Sequence, residues 1–145
     1  MAFDGLYQVS VVLTHPTFTE DEIALRLPTL VASRQSTVGK PHPPHGRLAR
    51  NSVWVMEFHA EFVESEDFPL SDTLRRELGR LTPYRHVFTE IAREGEAYLQ
   101  IVWFAHSSHS VVLLDPGVVA LIAETGLCLD VEYYAPDRNE SAVSD

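Results

Sequence analysis

The sequence predicts an α+β domain: a mostly antiparallel sheet with helices on one face, in a ferredoxin-like, split βαβ arrangement. Three observations carry that expectation. At 145 residues the chain suits one domain with a real core and is short for two. Stretches with a two-residue apolar period alternate with stretches of helical period that carry cap residues. Their order is β-α-β, a helical connection, then β-α-β, two halves of like architecture without repeated residues. The domain is expected over 1–135, followed by a polar, frayed tail over 136–145.

The elements follow in order. "LYQVSVVL" alternates, with Tyr7, Val9, Val11 and Leu13 on one side, and reads as a half-buried strand. In "TEDEIALRL", Thr19 and Glu22 form a capping box and three acids fill the first turn, where the helix dipole favours them. Pro28 ends that helix. Residues 28–51 carry Pro, Ser, Gly and His without a period and read as an extended segment and long loop. "SVWVMEFHAEF" resumes alternation. Trp54, Met56, Phe58, Ala60 and Phe62 are expected inward, and Glu57, His59 and Glu61 outward.

"SDTLRRELGRL" is expected to be a helix capped by Ser71, with Leu74, Leu78 and Leu81 on one stripe. Thr82 and Pro83 restart a second helix, which Gly95 closes. "AYLQIVWFAH" is apolar on both faces and reads as a central strand. Asp115 and Pro116 open a last helix that ends before Gly126. "LCLDVEYY" is the final strand, with Leu127, Leu129, Val131 and Tyr133 inward.

Composition narrows the function classes. The net charge is −10, from 21 acids against 11 Lys and Arg, which argues against nucleic acid and anionic membranes and suits a basic partner. No apolar run approaches the length of a membrane span. "MAFDGLYQV" lacks the parts of a signal peptide, and Cys128 is the single cysteine, so a cytoplasmic protein without an internal disulfide is expected. Charge is unevenly spread. No acid occurs between Ile23 and Met56, where Arg26, Arg34, Lys40, Arg47 and Arg50 lie.

That basic segment holds "KPHPPHGR", echoed by "HSSH" at His106–His109. Two His-x-x-His pairs offer four imidazoles, but the spacing enforces no chelation, so solvated loop histidines are expected and no metal or other cofactor. Arg34, Lys40, Arg47 and Arg50, with Gly39 and Gly46 nearby, form a candidate anion- or ligand-binding loop without a P-loop pattern. No nucleophile elbow is present, and serines beside His106 and His109 do not make a triad. Glu57 with His59 is the one candidate acid–base pair, on a strand where such spacing is ordinary.

Several of these positions resemble a bacterial family, the domain-of-unknown-function family numbered 4279. The resemblance rests on a first strand and then a helix opening on Asp21, Glu22 and Ile23. A Gly-bearing segment, a strand with Trp54, a helical middle, a Leu-rich helix closing on Gly, and a last strand ending in Tyr134 complete it. It spans about residues 6 to 135 and implies this fold without an activity. Similar small bacterial domains include immunity proteins of toxin systems.

If helices cover one face, the other presents Val12, Val55, Val102, Phe104 and Tyr134 among Glu57, Asp130 and Glu132. Such a mixed aromatic and acidic face is a candidate interface. The expected function is a non-enzymatic protein-interaction domain, immunity-protein-like in one version, meeting a basic protein or a second copy of itself. The alternative is a small-molecule or anion binder using the 34–50 loop.

Overall fold

A computed structural model describes residues 4–39 and 50–136, together with the backbone of 41–42 and 47–48. Lys40, His45 and Gly46 of the basic loop, and 137–145 of the expected tail, lie outside the described residues. The elements are β1 (Gly5–His15), α1 (Glu20–Arg26), β2 (Arg34–Ser36), β3 (Pro41–His42), β4 (Arg47–Leu48), β5 (Ser52–Glu57) and β6 (Val63–Glu64). There follow α2 (Leu70–Leu78), a 3₁₀ turn (Thr82–Tyr84), α3 (Arg85–Ala92), β7 (Glu96–Ala105), α4 (Pro116–Thr125) and β8 (Cys128–Tyr134).

The α+β class holds, with a mixed open sheet in the order β2-β5-β1-β7-β8 and β6 also paired to β1. Four pairings are antiparallel; β7 and β8 run parallel, joined through α4. The connectivity departs from the split βαβ pattern. There, a strand inserts between the two parallel strands of each unit. Here β7 and β8 are direct neighbours, and β1 lies antiparallel to β5. β7 is an interior strand between β1 and β8, as its sequence predicts, and β1 lies at the middle of the sheet. Residues 28–51, read as loop, contribute the edge strand β2 and the small β3–β4 hairpin.

One core forms between the sheet and the helices. Tyr7, Val9, Val11 and Leu13 of β1, Trp54 and Met56 of β5, and Leu99, Ile101 and Trp103 of β7 supply the sheet side. Ile23 and Leu27, Leu74 and Leu78, Val87, Phe88 and Ile91, and Val118 and Ile122 supply the helical side. Every sheet residue in that set belongs to one alternation phase, so the helices clad a single face.

Local chemistry explains most helix ends. The Thr19 hydroxyl accepts from the Glu22 N–H at 3.2 Å, and Asp115 accepts from the Val118 N–H at 2.9 Å, with Pro116 in the first turn. Gly126 follows α4 at φ +78°, a left-handed cap. Two expectations are corrected. Pro69, not Ser71, precedes α2, and no side chain caps it. Thr82 turns its hydroxyl back to the Leu78 carbonyl at 3.3 Å, so Thr82 and Pro83 begin a 3₁₀ turn and α3 starts at Arg85. No helix of the described residues is long and apolar enough to cross a membrane.

Candidate functional site: the open sheet face

The face away from the helices is set by strand register. Ser10 lies opposite Glu57 and Val12 opposite Val55 across β1–β5. Val102 lies opposite Gln8, and Phe104 opposite Leu6, across β1–β7. Asp130, Glu132 and Tyr134 lie beside Gln100, Val102 and Phe104 across β7–β8. Directly paired residues point to the same side. Val12, Val55, Glu57, Val102, Phe104, Asp130, Glu132 and Tyr134 therefore share one surface, and none belongs to the main core cluster.

They do not all reach solvent. Val12 and Val55 are only 6% and 3% exposed, so they form a floor rather than a contact surface. With Val53 they underlie a groove of about 340 Å³ walled by Arg34, Tyr98 and Gln100. Phe104 and Tyr134 are the exposed apolar groups, 41% and 47% accessible and stacked at 4.8 Å. Phe62 packs on Phe104 at 5.4 Å.

Phe62 reaches this face through a phase inversion. The β1–β5 pairing stops at Ser10–Glu57 and β1–β6 resumes at Tyr7–Val63. Five residues, 58–62, thus stand against two on β1. The three extra residues reverse the alternation, as a bulge does. For the same reason His59, expected outward beside Glu57, turns under the sheet edge. Its ring lies 6.4 Å from Tyr7 and 5.5 Å from Phe68, and burial, helped by Arg76, holds its pKa below the usual histidine value. Glu57 instead accepts from Gln8 Nε2 at 3.1 Å and pairs with Arg34 at 3.7 Å. The candidate acid–base pair is therefore split.

Charge on the face is strongly one-sided. Glu57, Glu64, Glu96, Asp130 and Glu132 lie on it with one described arginine, Arg34, which Glu57 already engages, and Glu64 is paired with His106. Gln100 Nε2 donates to Asp130 at 3.3 Å and to Glu132 at 3.1 Å, holding both carboxylates in place. Tyr98 reports the resulting field. Burial raises its pKa above the usual phenol value, and Glu96, Asp130 and Glu132 raise it further. Tyr134, which donates to Glu132 at 3.2 Å, is raised mainly by that carboxylate. In the double variant Asp130→Asn/Glu132→Gln, the Tyr98 phenol is expected to titrate at lower pH than in the native chain. Ultraviolet difference titration, with Tyr98→Phe to assign the signal, measures it; an unchanged midpoint would contradict the field.

The basic loop gathers less than its sequence suggests. Arg34 sits on β2 opposite Val55, whereas Arg50 precedes the other end of β5 and is exposed. Lys40 and the side chain of Arg47 lie outside the described residues. Among the described residues, no group of three or more His, Cys, Asp or Glu is placed to hold a metal ion. His106 of the "HSSH" segment pairs with Glu64 at 2.6 Å, and the buried Ser110 that follows the segment accepts from the Trp103 indole at 3.1 Å. A depression of about 590 Å³ by Asp4, Glu66, Leu70 and Trp103 has two carboxylates as its titratable lining and no imidazole or cation.

A family model described as a domain of unknown function, DUF4279, matches residues 6–136. The chain belongs to the DUF4279 family. No curated protein and no solved structure matches the chain. The matched span of this DUF4279 domain runs from the start of β1 to just past β8, so the open face lies wholly inside it. Tyr98 and Cys128, neighbours on that face, were legible from strand alternation alone; Phe62 left no such signal.

Proposed function

We propose that this DUF4279 domain is a non-enzymatic protein-contact module whose open sheet face receives a basic partner. The observation that carries the reading is an exposed aromatic pair, Phe104 and Tyr134, at one end of an acidic face, with Glu132 next along β8, Asp130, Glu57 and Glu96 farther off, and Arg34 already engaged. Aromatic anchors on a face whose charge is of one sign suit a partner of the opposite sign, both for steering and for contact. Two such faces laid on each other would oppose like charges, so a different protein fits better than a second copy. Neutralisation of a basic toxin by an immunity protein is one concrete form. The anion-binding alternative is weaker because Arg34 is engaged by Glu57.

Site-specific photo-crosslinking tests the reading. A benzophenone side chain is placed at Phe104 on the open face or at Val119, exposed on α4, in the cells that make the protein. The expected result is a discrete adduct with a basic protein from position 104 and none from 119. No adduct from 104, or the same adducts from both, would overturn it.

A further inference from the structure

The outer edge of β8 is long, and its charged side chains are acidic, Asp130 and Glu132. Among the described residues β8 pairs only with β7, leaving its far side with backbone N–H and C=O groups directed away from the sheet. Edges are commonly blunted by short length, proline, lysine or a bulge. β8 runs seven residues, CLDVEYY, with neither proline nor lysine. It is also partly exposed on both sides, with Tyr133 donating to the Ser110 carbonyl at 2.7 Å. Leu129, Val131 and Tyr133 face the helical side yet are exposed, because α4 packs on α2, α3 and the 3₁₀ turn. Cys128 and Tyr134 are exposed on the open side, where Asp130 and Glu132 also lie.

We propose that the β8 edge accepts an extended segment of another protein as an added strand, one that alternates cationic and apolar residues. This deepens the reading above and rests on it for the sign of the partner's charge. Strand addition satisfies the edge backbone, and alternate side chains supply selectivity. Lysine or arginine on the open side meets Asp130 and Glu132. Apolar residues on the other side meet Leu129, Val131 and Tyr133.

The same carboxylates work against a second copy. Antiparallel self-pairing that keeps both sheets continuous preserves the faces, so only registers centred on a residue are allowed. Centred on Val131, Asp130 opposes Glu132 twice. Centred on Asp130 or Glu132, a carboxylate opposes its own twin. Like charges directly opposite destabilise a pair. The registers that pair most of β8 with a second copy thus oppose carboxylates, and those centred on Leu129 or Tyr133, which do not, pair only a few residues at one end of the strand.

The probe is a short synthetic peptide alternating lysine and valine, added to the full chain labelled with ¹⁵N. Outward β8 amides are expected to exchange fast in the free protein and to slow by about tenfold or more when the peptide binds. A peptide of the same sequence with N-methyl groups along one edge is expected to lose binding. The variant Asp130→Lys/Glu132→Lys is expected to release the lysine peptide and to bind a glutamate–valine one. β8 amides already protected in the free chain, or equal binding of the N-methyl peptide, would overturn strand addition. If the peptide fails while crosslinks from position 104 still capture a basic protein, strand addition falls and the open-face reading stands. Loss of both removes both.

Discussion

Trp54→Ala is expected to lower the unfolding free energy by about 3–5 kcal/mol, the usual range for deleting a large buried aromatic. Trp54 is 1% exposed, lies opposite Leu13 across β1–β5, and belongs to the single cluster between sheet and helices. Truncation leaves a cavity there that a closely packed interior closes only in part. Phe104, equally aromatic, has a different role. It is 41% exposed on the other face, and its losses are partial burial and its stacking on Tyr134. Phe104→Ala is expected to cost about 1 kcal/mol, in line with one partly buried aromatic pair. Urea denaturation of both variants checks the contrast. Similar losses would mean that the two faces are not distinct.

Gly95→Ala is the second large effect, expected to destabilise by about 3 kcal/mol, at or beyond the upper end of ordinary overpacking. A Cβ at Gly95 would run into the backbone carbonyl of Thr14, with the Cα of His15 3.0 Å away. An obstacle made of backbone does not yield to a rotamer change, so β1 and the start of β7 would have to separate. Gly5→Ala meets the Trp103 indole instead, a core side chain 2% exposed and bonded to Ser110, so it too is expected to destabilise, through a ring rather than through backbone. Thermal unfolding of Gly95→Ala beside Gly5→Ala measures the difference; a Gly95 variant as stable as the native chain would contradict the close approach.

Gly95 also shows what was legible in the sequence. Its place predicts the stop of the helix before β7, where a glycine commonly takes a left-handed conformation. Gly126 does so after α4, at φ +78°. Gly95 has no positive φ and is required by close packing on β1 instead. The residue was legible and its reason was not, because the reason involves a segment eighty residues away in the chain. The same division holds widely. Alternation in β1, the caps Thr19 and Asp115, and the apolar stripes of the helices are local patterns and could be read directly. Strand order is not local: that β1 is central, and that β7 and β8 are parallel neighbours, depends on pairings no period encodes.

The candidate site divides along the same line. Eight positions on the open face follow from strand parity, and register places them together. Burial of Val12 and Val55 depends on the neighbours that wall the groove, which parity does not reveal. The inversion at 58–62 moved Phe62 onto the face and His59 off it, because extra residues in a strand connection carry no hydrophobic signature.

The central claim is a sheet clad by helices on one side and open, with a negative field, on the other. Methyl NMR with small charged nitroxides tests it most directly. The claim predicts that Val53 and Val102 methyls broaden strongly with a cationic nitroxide and weakly with an anionic one, while Val9, Val11 and Leu99 stay sharp with both. Val53 and Val102 methyls as protected as those of Val9, or broadened equally by either charge, would contradict it.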